Sequence, residues 1–419
     1  MINELPGRRR MNSVSYTGGS QTGYMVHRSC RITAVAVTLL VVLASALSAS
    51  GPPAAPGQWP PYVTMRDETS MYVRWRTAEP SRDTLVLSEE GSSNELGTFS
   101  EDTPSRRHNV LLRDLRPGVL YRYSIRGGNN SGMEGRLRVP RQGRESAFFV
   151  LGDTQALSIP GTLTMELTRQ KMVIEAMARD ASSVDFLVHT GDLVESGAIP
   201  EYDNFFPIVA PLTARMPIFA VMGNHDDRTE VFADTFSFPG EGKLSGVNWH
   251  YFSTENALFI FLNLNFNSIK QVSQTTAWLT TVLEKFSDRK WKFVFTHQPI
   301  YSSVERDSDT PLRKLFEPLF LKHGIDVVFS GHHHAYQRIL RNGIMYVVSG
   351  GGGGRGYSPL MNPPVDGTIR TAERTMHYLC GRISRDRFVF DARRVGLESA
   401  TENVERSEGE MDHFELSKP

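Results

Sequence analysis

The sequence predicts an α/β domain of layered sheets, preceded by a small all-β sandwich. Three observations carry that reading. Five short apolar runs each end in a residue type that binds metals, and stretches with helical apolar spacing lie between those runs. A segment of short alternating strands with no helical period comes first.

From the N-terminus, the sixteen residues Ile32–Leu47 contain no charge. Arg28 and Arg31 precede that run, and small residues from Ala44 to Ser50 close it. This is a secretory signal pattern. Residues 1–50 are read as leader and signal peptide, with Met25 as a compact alternative start, and the protein is expected to be secreted or periplasmic. Cleavage is expected between about Leu47 and Gly51. An uncleaved anchor is the alternative, although sixteen residues are short for a span. Cleavage would leave only Cys380, so stability must come from the core and not from an internal disulfide.

Gly51–Pro61 is rich in Pro, Ala and Gly and reads as a linker. Beyond it, Met71–Arg76, Thr84–Leu87, His108–Leu112 and Leu120–Ile125 alternate, with Pro117-Gly118 and Gly127-Gly128 as turns. Residues 58–141 are therefore assigned to a β-sandwich. From about Arg144 strands and helices alternate: Leu163–Asp180, Glu201–Ala214, Ser273–Ser287 and Pro311–His323 have helical apolar spacing. Strands at Trp249–Ser253, Leu258–Asn263, Ile344–Val348, His377–Ser384 and Arg387–Ala392 complete a layered domain over 144–396. Residues 397–419 carry charges of both signs and few large apolar side chains, and read as a disordered polar tail.

At 419 residues the chain accommodates two domains. A formal net charge of zero gives no basic excess for a nucleic-acid partner, and nothing in the composition sets an oligomeric state. Without the leader, no stable membrane insertion is expected.

The runs that carry chemistry are Phe148–Leu151 into Gly152-Asp153 and Phe186–Val188 into His189-Thr190-Gly191-Asp192. Ile218–Val221 leads to Gly223-Asn224-His225-Asp226, Phe293–Phe295 to Thr296-His297, and Val327–Phe329 to Gly331-His332-His333-His334. Ligands of open α/β sheets bind beyond the carboxyl ends of the strands. Five strands thus bring Asp153, Asp192, Asn224, His297, His332 and His334 to one place. Two carboxylates, an amide oxygen and three imidazoles suffice for two cations sharing one carboxylate. Glycines beside the ligands let the backbone approach. In a strand-end His-x-His the middle residue points away, so His333 is read as a wall residue.

The series GD, GD, GNHD, TH and GHxH resembles the calcineurin-like metallophosphoesterases. With the preceding Val-Arg-Trp-Arg-Thr and Leu-Arg-Pro-Gly segments, the chain is similar to the purple acid phosphatases from roughly Pro61 to Arg394. That resemblance implies a four-layer αββα sandwich preceded by a fibronectin III-like domain. It also implies two metal ions (iron, manganese or zinc) bridged by Asp192. One would take Asp153 and His334 as well, the other Asn224, His297 and His332. His225 would face the scissile ester as the catalytic proton donor or electrostatic stabiliser, with Asp226 orienting it or its loop.

Two positions depart from the family pattern. Purple acid phosphatases have a tyrosine three residues after the bridging aspartate, whose phenolate on ferric iron gives the colour; here it is Glu195. Many relatives have a histidine two residues after the first aspartate; here it is Gln155. Gln155 is read as a ligand or a neighbouring hydrogen bonder, and Glu195 as a loop carboxylate or a partner of the ligands. Tyr301, Tyr336, Arg338 and Arg355 with its preceding glycine run are candidates for the pocket border or for packing.

The function expected is metal-dependent phosphoric ester hydrolysis. An acid phosphatase acting on a small phosphomonoester by attack of a metal-bridging hydroxide leads. A phosphodiesterase on nucleotide or phospholipid-derived substrates is the alternative enzyme, and a non-catalytic surface binding protein the alternative of another class.

Overall fold

The computed structural model describes residues 56–418 apart from 128–131, 142–144, 158–163, 227, 237, 239–241, 245–246, 267, 305–310 and 400–402. The expected signal segment lies outside the described residues. Among those described, no helix is long and apolar enough to cross a membrane.

The N-terminal strands are β1 (Trp59–Asp67), β2 (Ser70–Ser81), β3 (Thr84–Glu89), β4 (Glu95–Ser100), β5 (Ser105–Leu112), β6 (Leu120–Arg126) and β7 (Met133–Arg138). They pair antiparallel in a three-stranded sheet, β1-β2-β5, and a four-stranded sheet, β4-β3-β6-β7. Alternation in β2 buries Met71, Val73 and Trp75 as the period predicts.

The layered part follows. It runs β8 (Ser146–Leu151), α1 (Met165–Asp180), β9 (Phe186–His189), α2 (Ile199–Thr213), β10 (Ile218–Ala220), α3 (Thr229–Thr235), β11 (Gly242–Leu244), β12 (Val247–Ser253) and β13 (Ala257–Leu262). Then come α4 (Ile269–Lys285), β14 (Trp291–Thr296), α5 (Pro311–His323), β15 (Val327–Ser330), β16 (Ala335–Arg341), β17 (Ile344–Ser349), β18 (Thr368–Glu373), β19 (Thr375–Ile383), β20 (Arg387–Glu398) and β21 (Val404–Ser417). One mixed sheet has the order β10-β9-β8-β19-β20-β21, the other β11-β12-β13-β14-β15-β17-β16-β18.

The two sheets meet through phenylalanine. Phe148 and Phe186 of the first lie 5.6 and 5.1 Å from Phe259 of the second, ring to ring. Outside the second sheet, Leu279 and Leu283 of α4 and Phe316 and Phe320 of α5 share a core with Leu258, Ile260 and Val328. Both faces of the central strands are thus covered, which is why their runs are apolar without alternation. The four helices expected from spacing are present, α1 beginning at a Thr164 cap and α4 at a Ser268 cap.

One expectation needs correction. The described part of residues 397–419 is not a disordered tail: β20 runs on to Glu398, and β21 pairs with it along Val404–Ser417. The strand is amphipathic, so its polarity belongs to one solvated face. Phe414 lies 5.0 Å from Phe390, and Asp412 holds Arg338 at 2.6 Å and the Tyr336 hydroxyl at 2.7 Å. The charges of both signs have partners, Arg387 of β20 meeting Glu415 across the strands and Arg179 of α1 meeting Glu408.

The sandwich packs on the layered part. Trp59 and Tyr62 stack on Phe206 of α2 at 4.8 and 4.3 Å, and the Trp59 indole N–H donates to Asp203 at 2.6 Å. Residues Gly51–Pro419 form one compact unit. The sandwich thereby braces α2, whose preceding loop carries Asp192 and Glu195.

Candidate metal centre

Parallel pairing of β8, β9 and β10 brings Gly152-Asp153, Gly191-Asp192 and Gly223-Asn224 to one edge of the first sheet. The ends of β14 and β15 carry His297 and His332 to the facing edge of the second. Tight turns at these ends place Asp153, Asp192 and His332 at φ 61, 55 and 68°. Such left-handed conformations are costly for residues with a Cβ and cluster at functional sites. Close approach explains two of the glycines: a Cβ on Gly223 would collide with the Asp192 carboxylate, and one on Gly331 with that of Asp153.

The side chains form one continuous line of donor atoms. His334 Nε2 lies 3.6 Å from Asp153 Oδ1 and 3.1 Å from the Gln155 amide nitrogen. That nitrogen is 3.4 Å from Asp192 Oδ2, which is 3.3 Å from His297 Nε2. His297 Nε2 is in turn 3.0 Å from Asn224 Oδ1 and 3.2 Å from His332 Nδ1. Backbone contacts orient the set. The Nδ1–H of His297 donates to the Thr190 carbonyl at 3.0 Å, and that of His334 to Gly356 at 3.3 Å, so both Nε2 lone pairs face inward. The amides of His332 and His225 donate to Asp153 and Asp192 at 2.8 and 2.9 Å.

Burial is graded. Asp153, Asp192 and His297 are buried, whereas Asn224 is exposed and His225, His332 and His334 are half-buried, so the cluster opens on one side. Burial pushes the Asp153 carboxyl well above the carboxylate range, with Asp192 adding to the rise against the pull of His297. Burial also opposes ionisation of Asp192, but His297 outweighs it and holds the carboxyl at about 2. The same contact lifts His297 to about 9 against its own burial. Crowded lone pairs and buried carboxylates are what cations between them would relieve. Asp192, His297 and His332 offer ligand atoms within 4.8 Å of one another, so this donor set suits divalent or trivalent cations.

Residues 147–336 match the profile of the calcineurin-like phosphoesterase family. The chain is 23% identical to purple acid phosphatase 18 of Arabidopsis thaliana over 70% of its own length and 71% of the relative's. It is 26% identical to acid phosphatase type 7 of Homo sapiens, over 71% and 75%. Among solved structures it superposes on the purple acid phosphatase of yellow lupin seeds with a TM-score of 0.67 at 16% identity, covering 85% of this chain and 74% of that one. The structure of PhoD gives 0.63 at 11% identity, over 88% and 92%. The chain thus carries a calcineurin-like phosphoesterase domain over residues 147–336 and is similar to the purple acid phosphatases. It is accordingly a metal-dependent phosphoester hydrolase of a family that uses a dimetal centre.

The six candidate side chains lie side by side, and Gln155 lies among them. Glu195 does not. Its backbone carbonyl accepts His225 Nδ1–H at 2.9 Å and its carboxylate lies 3.6 Å from the same nitrogen. It orients His225, leaving Nε2 as the atom that can meet a substrate.

Of the two duties expected of Asp226, orienting His225 or its loop, its hydrogen bonds go to the loop. Asp226 is fully buried and accepts the amides of Leu193, Val194 and Gly223 at 3.0–3.2 Å. It ties the β9 and β10 loops together, while burial and then Asp192 push its carboxyl up to about 7.

His333 turns from the line of donors to Ser302 Oγ at 2.8 Å, as a wall residue. Tyr301 donates to Glu317 at 2.8 Å, and Tyr336 and Arg338 serve β21, so these are packing residues. The glycine run crosses under the site, the Gly352 and Gly354 amides donating to the Gly152 and Asp153 carbonyls at 2.9 and 2.8 Å. Arg355 is exposed beyond it.

The sequence reading missed the carbonyls of Thr190, Glu195 and Gly356 that set the imidazole tautomers. Backbone acceptors leave no residue signature. It also missed Ser358, whose hydroxyl accepts the His334 amide at 3.0 Å.

Proposed function

We propose that this metallophosphoesterase is an exported phosphomonoesterase of the acid phosphatase type. In this reading Asp192 bridges two cations, Asp153 and His334 complete the first site, and Asn224, His297 and His332 complete the second. The observation that carries it is the unbroken line of donor atoms from His334 through Asp192 to His332, with spacings of 3.0–3.6 Å. The acid phosphatase names of the relatives support the monoester preference. The signal pattern before residue 51 supports export, and the seven antiparallel strands in two sheets support a fibronectin III-like N-terminal part.

Bound cations would supply Lewis acidity for the phosphate oxygens and activation of the attacking water. The chain's own groups do the rest. Asp153 and Asp192, fixed by the His332 and His225 amides, hold the charge that positions the cations. His225, pinned through Nδ1–H on the Glu195 carbonyl, presents Nε2 at the open side, where its proton can pass to the departing alcohol oxygen. Asn224, exposed beside it, closes the second site while leaving room for substrate.

The test is hydrolysis of p-nitrophenyl phosphate and of bis(p-nitrophenyl) phosphate by metal-loaded and chelator-treated protein. The reading expects metal-dependent cleavage with the monoester preferred. A strong diester preference would make it a phosphodiesterase, and metal loading without cleavage of either a binding protein.

A further inference from the structure

Of the two positions at which this chain departs from the family pattern, Glu195 is engaged with His225. Gln155 stands in the donor line itself. Its side chain is buried, and its amide nitrogen lies 3.1 Å from His334 Nε2 and 3.4 Å from Asp192 Oδ2. Its other amide atom, Oε1, is buried without a hydrogen-bond partner. Both facts describe an amide drawn the wrong way round for a cation. The NH2 group points where a ligand atom is wanted, and the only lone-pair donor of the side chain is stranded, which is costly in an interior. The two orientations have the same shape, and a half-turn about the last side-chain bond exchanges oxygen and nitrogen without moving another atom.

Two ligand atoms on one cation, each about 2.0–2.2 Å from it, stand about 2.8–3.6 Å apart for angles between octahedral and tetrahedral. The two Gln155 spacings fall in that interval. Gly354 keeps the amide in this place: a Cβ there would come within 2.7 Å of Gln155 Oε1, against a wall that also carries the Asp153 carbonyl. We propose that Gln155 ligates the first metal through its side-chain carbonyl oxygen, so that this site consists of Asp153, Gln155, Asp192 and His334. The proposal rests on the two-metal reading above.

The test is Zn2+ titration of the metal-free full-length protein against a competing chromophoric chelator, for wild type, Gln155→Ala and Gln155→Glu. Wild type should bind two Zn2+ in separable steps. Gln155→Ala should weaken one step by at least about 10-fold and leave the other within about 3-fold, the usual scale for disturbing a metal sphere. Gln155→Glu should bind at least as tightly as wild type, because it keeps an oxygen donor of the same length. If Gln155 merely donated to Asp192, the glutamate would lose that donor, repel the carboxylate and bind more weakly than alanine, and this outcome overturns the proposal. Unchanged affinities in both variants also overturn it, while two Zn2+ in wild type would keep the two-metal reading standing. Fewer than two in wild type would remove that reading and the proposal together. Circular dichroism of each variant controls for folding, and the near-isosteric glutamate keeps the test open if the alanine variant fails to fold.

Discussion

The two halves of the proposed metal centre are made from the same part, a glycine turn at the end of a buried strand, yet they differ in how they are closed. The second half, Asn224, His297 and His332 around Asp192, sets two imidazoles beside its one amide, with His297 wedged between the Thr190 carbonyl and Asn224. The first half has Asp153 and His334 but carries the neutral Gln155 and, three residues past the bridge, a Glu195 turned toward His225. An amide oxygen is a weaker donor than an imidazole or a phenolate. The difference teaches where to look for unequal affinity: the proposed account expects the cation on the Asp153 side to exchange first.

Several substitutions break or sharpen this contrast, and the most severe removes what the halves share. Asp192→Ala should abolish hydrolysis and empty both sites, measured as metal per chain by mass spectrometry together with turnover. Retention of both metals would mean that Asp192 does not bridge. His225→Ala belongs to neither half: it should keep metal content near that of wild type while lowering the rate by about 10²–10⁴-fold, the usual scale for a lost acid–base group. A metal lost with His225 would make it a ligand and undo the assignment.

Asp226→Ala should sharpen the contrast by acting behind the loops that carry Asp192 and Asn224. Loss of the acceptor for the Leu193, Val194 and Gly223 amides should cost about 1.5–3 kcal/mol in denaturant unfolding, the scale of hydrogen bonds to a charged group. The second site should loosen more than the first, since Gly223 adjoins Asn224. The smallest expected signal is spectroscopic. Tyr301 is held by Glu317 and Tyr336 by Asp412, so neither offers a phenolate to the first site. Iron-loaded protein should be colourless or faintly yellow, and an intense purple band would require a tyrosinate ligand and contradict this account of the Asp153 side.

How much of this was legible in the sequence follows from what each feature depends on. The ligand-bearing strands were readable because buried parallel strands must be apolar throughout and their ends are marked by glycine, so Asp153, Asp192, Asn224, His297, His332 and His334 stood out at fixed offsets. The helices were readable from spacing to within a few residues, as with Leu163–Asp180 against the observed Met165–Asp180. β21 was not readable because an edge strand solvated on one face has the composition of a tail; only Met411 and Phe414 at the buried face betray it. The role of Asp226 was obscured by its place beside His225 in the chain, since adjacency in sequence says nothing about which backbone amides a buried carboxylate meets. The left-handed turns at Asp153, Asp192 and His332 are set by tertiary contacts and leave no local mark.

The central claim is a dimetal phosphomonoesterase with a bridging Asp192 and unequal halves. Stepwise removal of metal by chelator, with metal content and p-nitrophenyl phosphate hydrolysis followed in the same samples, tests it most directly. The account predicts two metals per active chain, loss of one before the other, and loss of activity with the first to leave. Full activity in protein stripped of both metals, or a single metal per fully active chain, would contradict it.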